Sequence, residues 1–200
     1  MATTVLHIDS SIFGGAGVSN QLGQHLIANI EARGEELNVT HRDLSVEPVP
    51  HFSAETITQI GEGKAELADT LIAELIAADV LVLAAPMYNF AIPSSLKAWF
   101  DHVARAGTTF KYTENGPVGL LKDKKVFVLT TRGGVHLGAA SDTQSAYLKT
   151  MLGFLGLNDV VFIYAEGLNM SGDSREQAIS KAQAEIHSHV QQLRFSEEAA

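Results

Sequence analysis

Val80-Leu81-Val82-Leu83-Ala84-Ala85-Pro86 is the longest apolar run in the chain, and no polar residue interrupts it. A strand with one wet face alternates polar and apolar residues, whereas one covered on both faces is apolar throughout, as in parallel sheets sandwiched between helices. Its length suits a strand and falls far short of the roughly 20 residues needed to cross a bilayer. Working outward, short apolar runs recur at residues 5–8, 39–41, 126–130 and 160–164, several of them rich in β-branched residues. Helix-period stretches separate them: Leu22, Leu26 and Ile30; Leu67, Leu71 and Leu75; Leu96, Trp99, Phe100 and Val103; Leu148, Met151, Leu152 and Leu155. A last helix carries Ile179, Ala182, Ile186 and Val190. This alternation predicts a three-layer α/β fold, with a five-stranded parallel sheet in the flavodoxin-like order 2-1-3-4-5 and helices on both faces.

The chain has 200 residues, 46% of them hydrophobic, which suits one domain over residues 1–200. No repeat or linker divides it, and Pro48 and Pro50 mark only a local turn. With 14 basic against 23 acidic residues and a formal charge of −9, it would repel a phosphate backbone, so nucleic acid is not an expected partner. The absence of cysteine excludes disulfides, thiolate nucleophiles and cysteine zinc sites. No secretory signal precedes Val5 and no run is long enough for a membrane span, so a cytoplasmic location is expected. His187 and His189 lie two apart on a predicted helix and diverge, and no metal is assigned. His102 reads as a satisfied or surface residue, and the acid-rich stretch 62–69 and Glu197-Glu198 as solvated surface.

In an open doubly wound sheet a ligand sits beyond the carboxyl ends of the strands, where the winding reverses. After the first strand comes Asp9-Ser10-Ser11-Ile12-Phe13-Gly14-Gly15-Ala16-Gly17-Val18-Ser19-Asn20, leading straight into a helix. Unpaired N–H groups and the positive dipole end make such a start a phosphate site without lysine or arginine. The rival reading makes Ser19 a helix cap. After the third strand comes Pro86-Met87-Tyr88-Asn89-Phe90-Ala91-Ile92-Pro93, where bracketing prolines limit helix formation. Its large side chains suit a flat ring, and the Asn89 amide offers both a donor and an acceptor to a ring edge. After the fourth strand, Thr130-Thr131-Arg132-Gly133-Gly134-Val135-His136 lets backbone N–H groups approach a ligand closely. Phe110-Lys111-Tyr112 with Asn115-Gly116-Pro117 predicts an extended flap and tight turn, positioned to cover a site.

Met87-Tyr88-Asn89-Phe90, Thr131-Arg132-Gly133-Gly134, Val103-Ala104-Arg105-Ala106-Gly107 and the stretch from Phe110 to Pro117 together resemble the FMN-dependent NADH-azoreductases. Leu152-Gly153-Phe154-Leu155-Gly156 and Ala165-Glu166-Gly167 extend the resemblance over nearly the whole chain. It implies a flavodoxin-like homodimer that binds flavin mononucleotide (FMN) non-covalently and reduces quinones and aromatic azo compounds with NADH or NADPH. It places Ser11, Gly17, Val18, Ser19 and Asn20 at the phosphate and ribityl chain. Met87, Tyr88, Asn89 and Phe90 fall at one ring edge, Thr131, Arg132, Gly133 and Gly134 at another, with His136 close behind. The substrate pocket would combine Asn89 and Phe90 with Tyr112 and Phe154, the last from a partner subunit if the site lies at a dimer seam. Hydride transfer belongs to the flavin, so no protein nucleophile is expected and a ping-pong cycle through one pocket follows. The phosphate loop departs from the commoner pattern, because Gly17 stands where a serine is usual; the missing hydroxyl weakens the grip on FMN unless backbone N–H groups or Ser10 compensate, and binding is expected to survive. Arg132 and Arg105 are each open to two readings, a contact to a ribose phosphate or a structural ion pair.

Two other readings compete. A dinucleotide fingerprint at Gly15-Ala16-Gly17-Val18-Ser19-Asn20, with Asp43 as ribose acid, fails at its third glycine. A flavodoxin-like electron carrier would suit the acidity but has little use for the flap.

Overall fold

The structure is a computed structural model and describes residues 2–194; Glu197 and Glu198 lie outside them. The five apolar runs form one parallel sheet from β1 (Thr3–Asp9), β2 (Leu37–Asp43), β3 (Val80–Pro86), β6 (Lys125–Thr131) and β7 (Val160–Ala165). Their order, β2-β1-β3-β6-β7, is the expected 2-1-3-4-5. β3 is buried at every position, as its unbroken apolar sequence requires, whereas the edge strand β2 is largely uncovered. On one face α1 (Val18–Glu31) and α6 (Ser174–Gln192) close a core around Leu22, Leu26, Phe127, Ile186 and Val190. On the other, α3 (Glu66–Ala77), α4 (Ser94–Val103) and α5 (Thr143–Leu155) pack Leu71, Leu75, Trp99, Phe100, Leu148 and Leu152 against the sheet.

Three local details differ from expectation. A short helix, α2 (Ala54–Gly61), fills the connection after β2; it begins at a Ser53–Thr56 capping box and buries none of its residues. In α3 the buried face runs through Ala68, Leu71, Ile72 and Leu75, leaving Leu67 exposed. Within the stretch read as solvated surface it is Ala65 and Ala68 that are buried, while Asp69 is exposed as expected and pairs there with Arg105. His102 is buried, with Nδ1 beside the Ala98 carbonyl, a satisfied core residue.

The helices also fix where the predicted flap lies. α4 starts just past the carboxyl end of β3 and, at 1.5 Å per residue, its 10 residues carry the chain about 15 Å back along the sheet. The hairpin of β4 (Phe110–Thr113) and β5 (Gly116–Gly119) follows. It docks on the far end of α5: Leu121 N–H donates to the Leu155 carbonyl, and a Cβ on Gly119 would lie 2.1 Å from the Gly156 nitrogen. The hairpin therefore sits at the amino-terminal end of the sheet and does not cover the carboxyl rim of its own chain.

Candidate functional site

The carboxyl ends of β1, β3 and β6 gather the three predicted loops. After β1 a turn of 3-10 helix, Gly14–Ala16, delivers the chain to α1, whose N-cap is Gly17 with no side-chain cap. The Ser19 hydroxyl reaches only Asn20 Oδ1, at 3.4 Å, so Ser19 does not cap the helix. The first-turn N–H groups are thus left for a ligand or water, in the field of the positive helix end. Asn20 is fully buried and donates Nδ2 to the Gly14 carbonyl at 2.8 Å, bracing the loop from beneath. Val18 packs against the core, so only its backbone is turned to this site.

Gly17 has a steric reason. A Cβ there would lie 2.3 Å from Ser11 Oγ and 2.5 Å from Ser11 Cβ, so the Ser11 side chain occupies the space a serine at 17 would need. The neighbouring Ser10 hydroxyl donates to the Ala84 carbonyl at 2.6 Å and is committed to the sheet. The hydroxyl absent at 17 is therefore matched by Ser11 and not by Ser10.

Tyr88 joins the third loop to the first. Its phenol oxygen lies 3.2 Å from Ser11 Oγ and accepts from the Ile12 N–H at 3.2 Å. Tyr88 and Ala91 exchange backbone hydrogen bonds of 2.9 and 3.0 Å around a two-residue turn in which Asn89 has φ 50° and Phe90 φ 67°. Two successive non-glycine residues in the left-handed region cost on the order of 1–3 kcal/mol each and persist only where their surroundings hold them. Thr143 Oγ1 donates to the Phe90 carbonyl, and Met87 N–H donates to that of Thr131. Between these two loops and Ser45 lies a cavity of about 350 Å³, lined also by Ser10, Asn89 and Ser94. That is within the range of ligand pockets, about 300–1,000 Å³.

The fourth loop is built on a buried ion cluster. The Arg132 side chain is wholly buried: Nη2 donates to Asp142 at 2.7 Å and Ser145 Oγ at 2.8 Å, Nη1 to Glu166 at 3.0 Å, and Nε to Gln144 at 3.3 Å. The guanidinium also lies 5.0 Å from the Tyr164 ring centroid, a cation–π contact. Burial opposes ionisation of Asp142, yet hydrogen bonds from Arg132 and Ser145 hold its carboxyl below the ordinary value. Burial also pushes the Tyr164 phenol up. Glu166 Oε1 accepts the backbone N–H groups of His136 and Leu137, both at 2.9 Å. The carbonyls of Arg132, Gly133 and Gly134 accept from Leu168, Asn169 and Gly167 at 2.9–3.1 Å. With its carbonyls turned away, the loop presents the N–H groups of Gly133 and Gly134, as a donor surface requires. A Cβ on Gly133 would lie 2.7 Å from Asn169 Nδ2, so a side chain there would displace the Asn169 amide. Thr131 is buried at the end of β6, and the His136 ring meets Phe90 edge-on at 5.8 Å, which brings the third and fourth loops together.

These loops collect residues 11, 17–20, 87–90, 131–134 and 136, with Arg132 and Asn20 as internal braces. The remaining pocket residues lie elsewhere: Tyr112 and Phe154 both pack on Phe110, with ring centroids 5.3 and 4.2 Å apart, at the opposite end of the sheet from Asn89 and Phe90. Arg105 pairs with Asp69 at the end of α4. The sequence reading had no role for Glu166 as the brace of the fourth loop, nor for Asp142 and Gln144; nothing in their spacing marks them as partners of Arg132.

A family model described as flavodoxin-like fold matches residues 3–190. A protein of Saccharophagus degradans named FMN-dependent NADH:quinone oxidoreductase is 57% identical over 92% of this chain and 91% of its own length. The chain belongs to this family. FMN-dependent NADH:quinone oxidoreductase 2 of Pseudomonas fluorescens is 49% identical over 91% of this chain and 96% of its own. The crystal structure of an azoreductase from Bacillus anthracis superposes with a TM-score of 0.85 at 29% identity, covering 96% of this chain and 100% of that one. Family membership makes the protein an oxidoreductase.

The strained turn gives a first prediction. Phe90→Gly relieves left-handed strain of about 1–2 kcal/mol against a glycine entropy cost of about 0.5–1 kcal/mol, so folding stability rises slightly. The same change removes the ring that meets His136, and flavin release, followed by fluorescence, becomes faster. A variant both less stable and equally retentive contradicts this reading of the turn.

Proposed function

We propose that the three loops bind FMN non-covalently, and that the enzyme uses NADH to reduce quinones and aromatic azo compounds by a ping-pong cycle. The observation that carries this is the pairing of two backbone donor sites, the uncapped start of α1 and the Gly133-Gly134 N–H groups, on either side of the Tyr88–Ala91 turn. Such a rim fits a phosphate at one end and the polar edge of a flat ring at the other. FMN, when bound, supplies the hydride chemistry. The first turn of α1 and Ser11 hold the phosphate. Met87, Tyr88 and Phe90 shape one side of the ring site, and Asn89 offers its amide to the ring edge. Gly133 and Gly134 place N–H groups where negative charge would gather, without reorganising when it does. Thr131 and His136 complete the wall.

The donor preference follows from Arg132. Its guanidinium is saturated by Asp142, Glu166, Gln144 and Ser145, and Arg105 lies at the other end of α4, so neither arginine meets a ribose 2′-phosphate at this rim. This favours NADH over NADPH. The position of Tyr112 and Phe154 supports a homodimer, since they can enclose an acceptor only at the rim of a second chain. Among the described residues no helix is long and apolar enough to cross a membrane, and the cytoplasm suits an enzyme drawing on NADH.

The test is to strip FMN, measure NADH oxidation with a quinone and with an azo dye, and restore the flavin. Activity should disappear and return, and initial rates should give parallel reciprocal plots. Undiminished turnover without flavin defeats the proposal, and intersecting plots defeat the shared pocket.

A further inference from the structure

The parallel register of β1 and β2 sets His7 beside His41, and the two-residue period of β1 puts Asp9 on the same face as His7. The result is a cluster of two imidazoles around one carboxylate. His7 Nε2 lies 2.9 Å from Asp9 Oδ1 and His41 Nε2 lies 2.9 Å from Asp9 Oδ2, with all donor atoms within 4.8 Å of one another. The two rings are nearly parallel, with centroids 4.9 Å apart. His7 and Asp9 are buried, 2% and 1% exposed, while the His41 side chain is 45% exposed on the edge strand.

The geometry points to a site for a divalent first-row transition-metal ion, Zn²⁺ or a close relative, ligated by His7, Asp9 and His41. Although His7 Nε2 and Asp9 Oδ1 are close, they form no hydrogen bond with each other, and neither has any other hydrogen-bond partner. The His41 arm is a hydrogen bond at 2.9 Å, whereas His7 Nε2 and Asp9 Oδ1 approach without the alignment of one, and a cation between them would satisfy both buried atoms. Metal–ligand bonds of about 2.0–2.2 Å place neighbouring donors about 2.9–3.4 Å apart; each imidazole is at that distance from one oxygen of Asp9, and the three residues, within 4.8 Å of one another, would close slightly around an ion. A buried carboxylate also needs a compensating charge, and each imidazole facing Asp9 is a cation only when protonated. The His7 ring fits against α1 because the helix carries Gly23 there; a Cβ would lie 2.4 Å from Nε2. Two imidazoles and one carboxylate suit zinc, cobalt, nickel or copper better than calcium or magnesium, which prefer all-oxygen shells. Three protein ligands, one reached from solvent, leave a coordination position for water. This departs from the expectation that no metal is bound, which rests on the divergence of His187 and His189 and on the absence of a zincin motif.

Asp9 directly precedes Ser10 and Ser11, so an ion here would tie the edge strand to the root of the phosphate loop. The test uses the flavin-loaded protein, freed of metal by chelation and titrated with Co²⁺ and Zn²⁺. One equivalent per chain should bind, with a visible Co²⁺ spectrum of a site containing imidazole. At free ion about tenfold above Kd, Tm should rise by about 3–5 °C. His41→Gln, a change at an exposed position, should abolish both the spectrum and the shift. His7→Gln should do the same if it folds, and His41→Gln decides the matter if it does not. No uptake by the unmodified protein, or uptake unchanged in His41→Gln, overturns the proposal and leaves Asp9 as a bridge between imidazoles. Neither readout involves turnover, so the outcome is independent of the proposed activity.

Discussion

Arg132→Met is expected to cost about 3–5 kcal/mol of folding stability, measured by urea denaturation. Removing one member of a buried ion cluster strands the others, and here Asp142 and Glu166 would both lose their cation. The loss extends to the rim, because Glu166 also holds the N–H groups of His136 and Leu137. FMN affinity should therefore fall with stability, although the guanidinium is turned away from the rim. Arg132→Lys, which keeps the charge and loses the planar fork, should fall between. The acid limb supplies a further readout. Asp142 has a folded pKa below its ordinary 3.8, so its stabilisation is full above about that pH and is lost as pH falls through the lower folded value. That limb should be reduced in Arg132→Met. A change of less than 1 kcal/mol with unaltered flavin affinity would refute the assignment of Arg132 as a brace.

Gly119→Ala is expected to separate the hairpin from α5. The new methyl would lie 2.1 Å from the Gly156 nitrogen and 2.3 Å from the Leu155 carbonyl carbon, which are backbone atoms and cannot rotate aside. Overpacking of this kind costs about 1–3 kcal/mol and sometimes more. Since the hairpin carries Tyr112, the variant should lose quinone reductase turnover while keeping FMN, the reverse of the pattern expected from damage to the rim. If the proposed dimer forms through this hairpin, sedimentation should show weaker self-association than in the unmodified protein. Full activity in Gly119→Ala would show that the hairpin has no part in the site.

Much of this architecture was legible before any coordinates. Residues 80–85 read as a strand covered on both faces because nothing in them is polar, and β3, which runs one residue further to Pro86, is buried throughout. α2 is the element the sequence reading omits: Ser53 and the i, i+3 pair Ile57 and Ile60 mark it, but it is short and buries none of its residues, so it adds nothing to the core pattern. The three loops were placed by topology, but the partners of Arg132 were not, since Asp142, Gln144 and Glu166 meet it only once α5 and β7 are packed. Ser19 shows the same limit, for a serine at a helix start reads equally as a cap or as part of an anion site until its hydroxyl is located. His7 and His41 lie on different strands and become neighbours only through the register. The flap was seen as a segment, but its position depended on the length and direction of α4.

That length has an evolutionary side. Because α4 carries the aromatic hairpin about 15 Å back along the sheet, the residues proposed to enclose an acceptor and those proposed to grip the cofactor lie at opposite poles of one chain. In the proposed dimer they meet again across the seam. Changes near Tyr112 and Phe154 can then shift acceptor choice without disturbing the flavin cradle, so one gene can diversify its substrates while its redox machinery stays fixed.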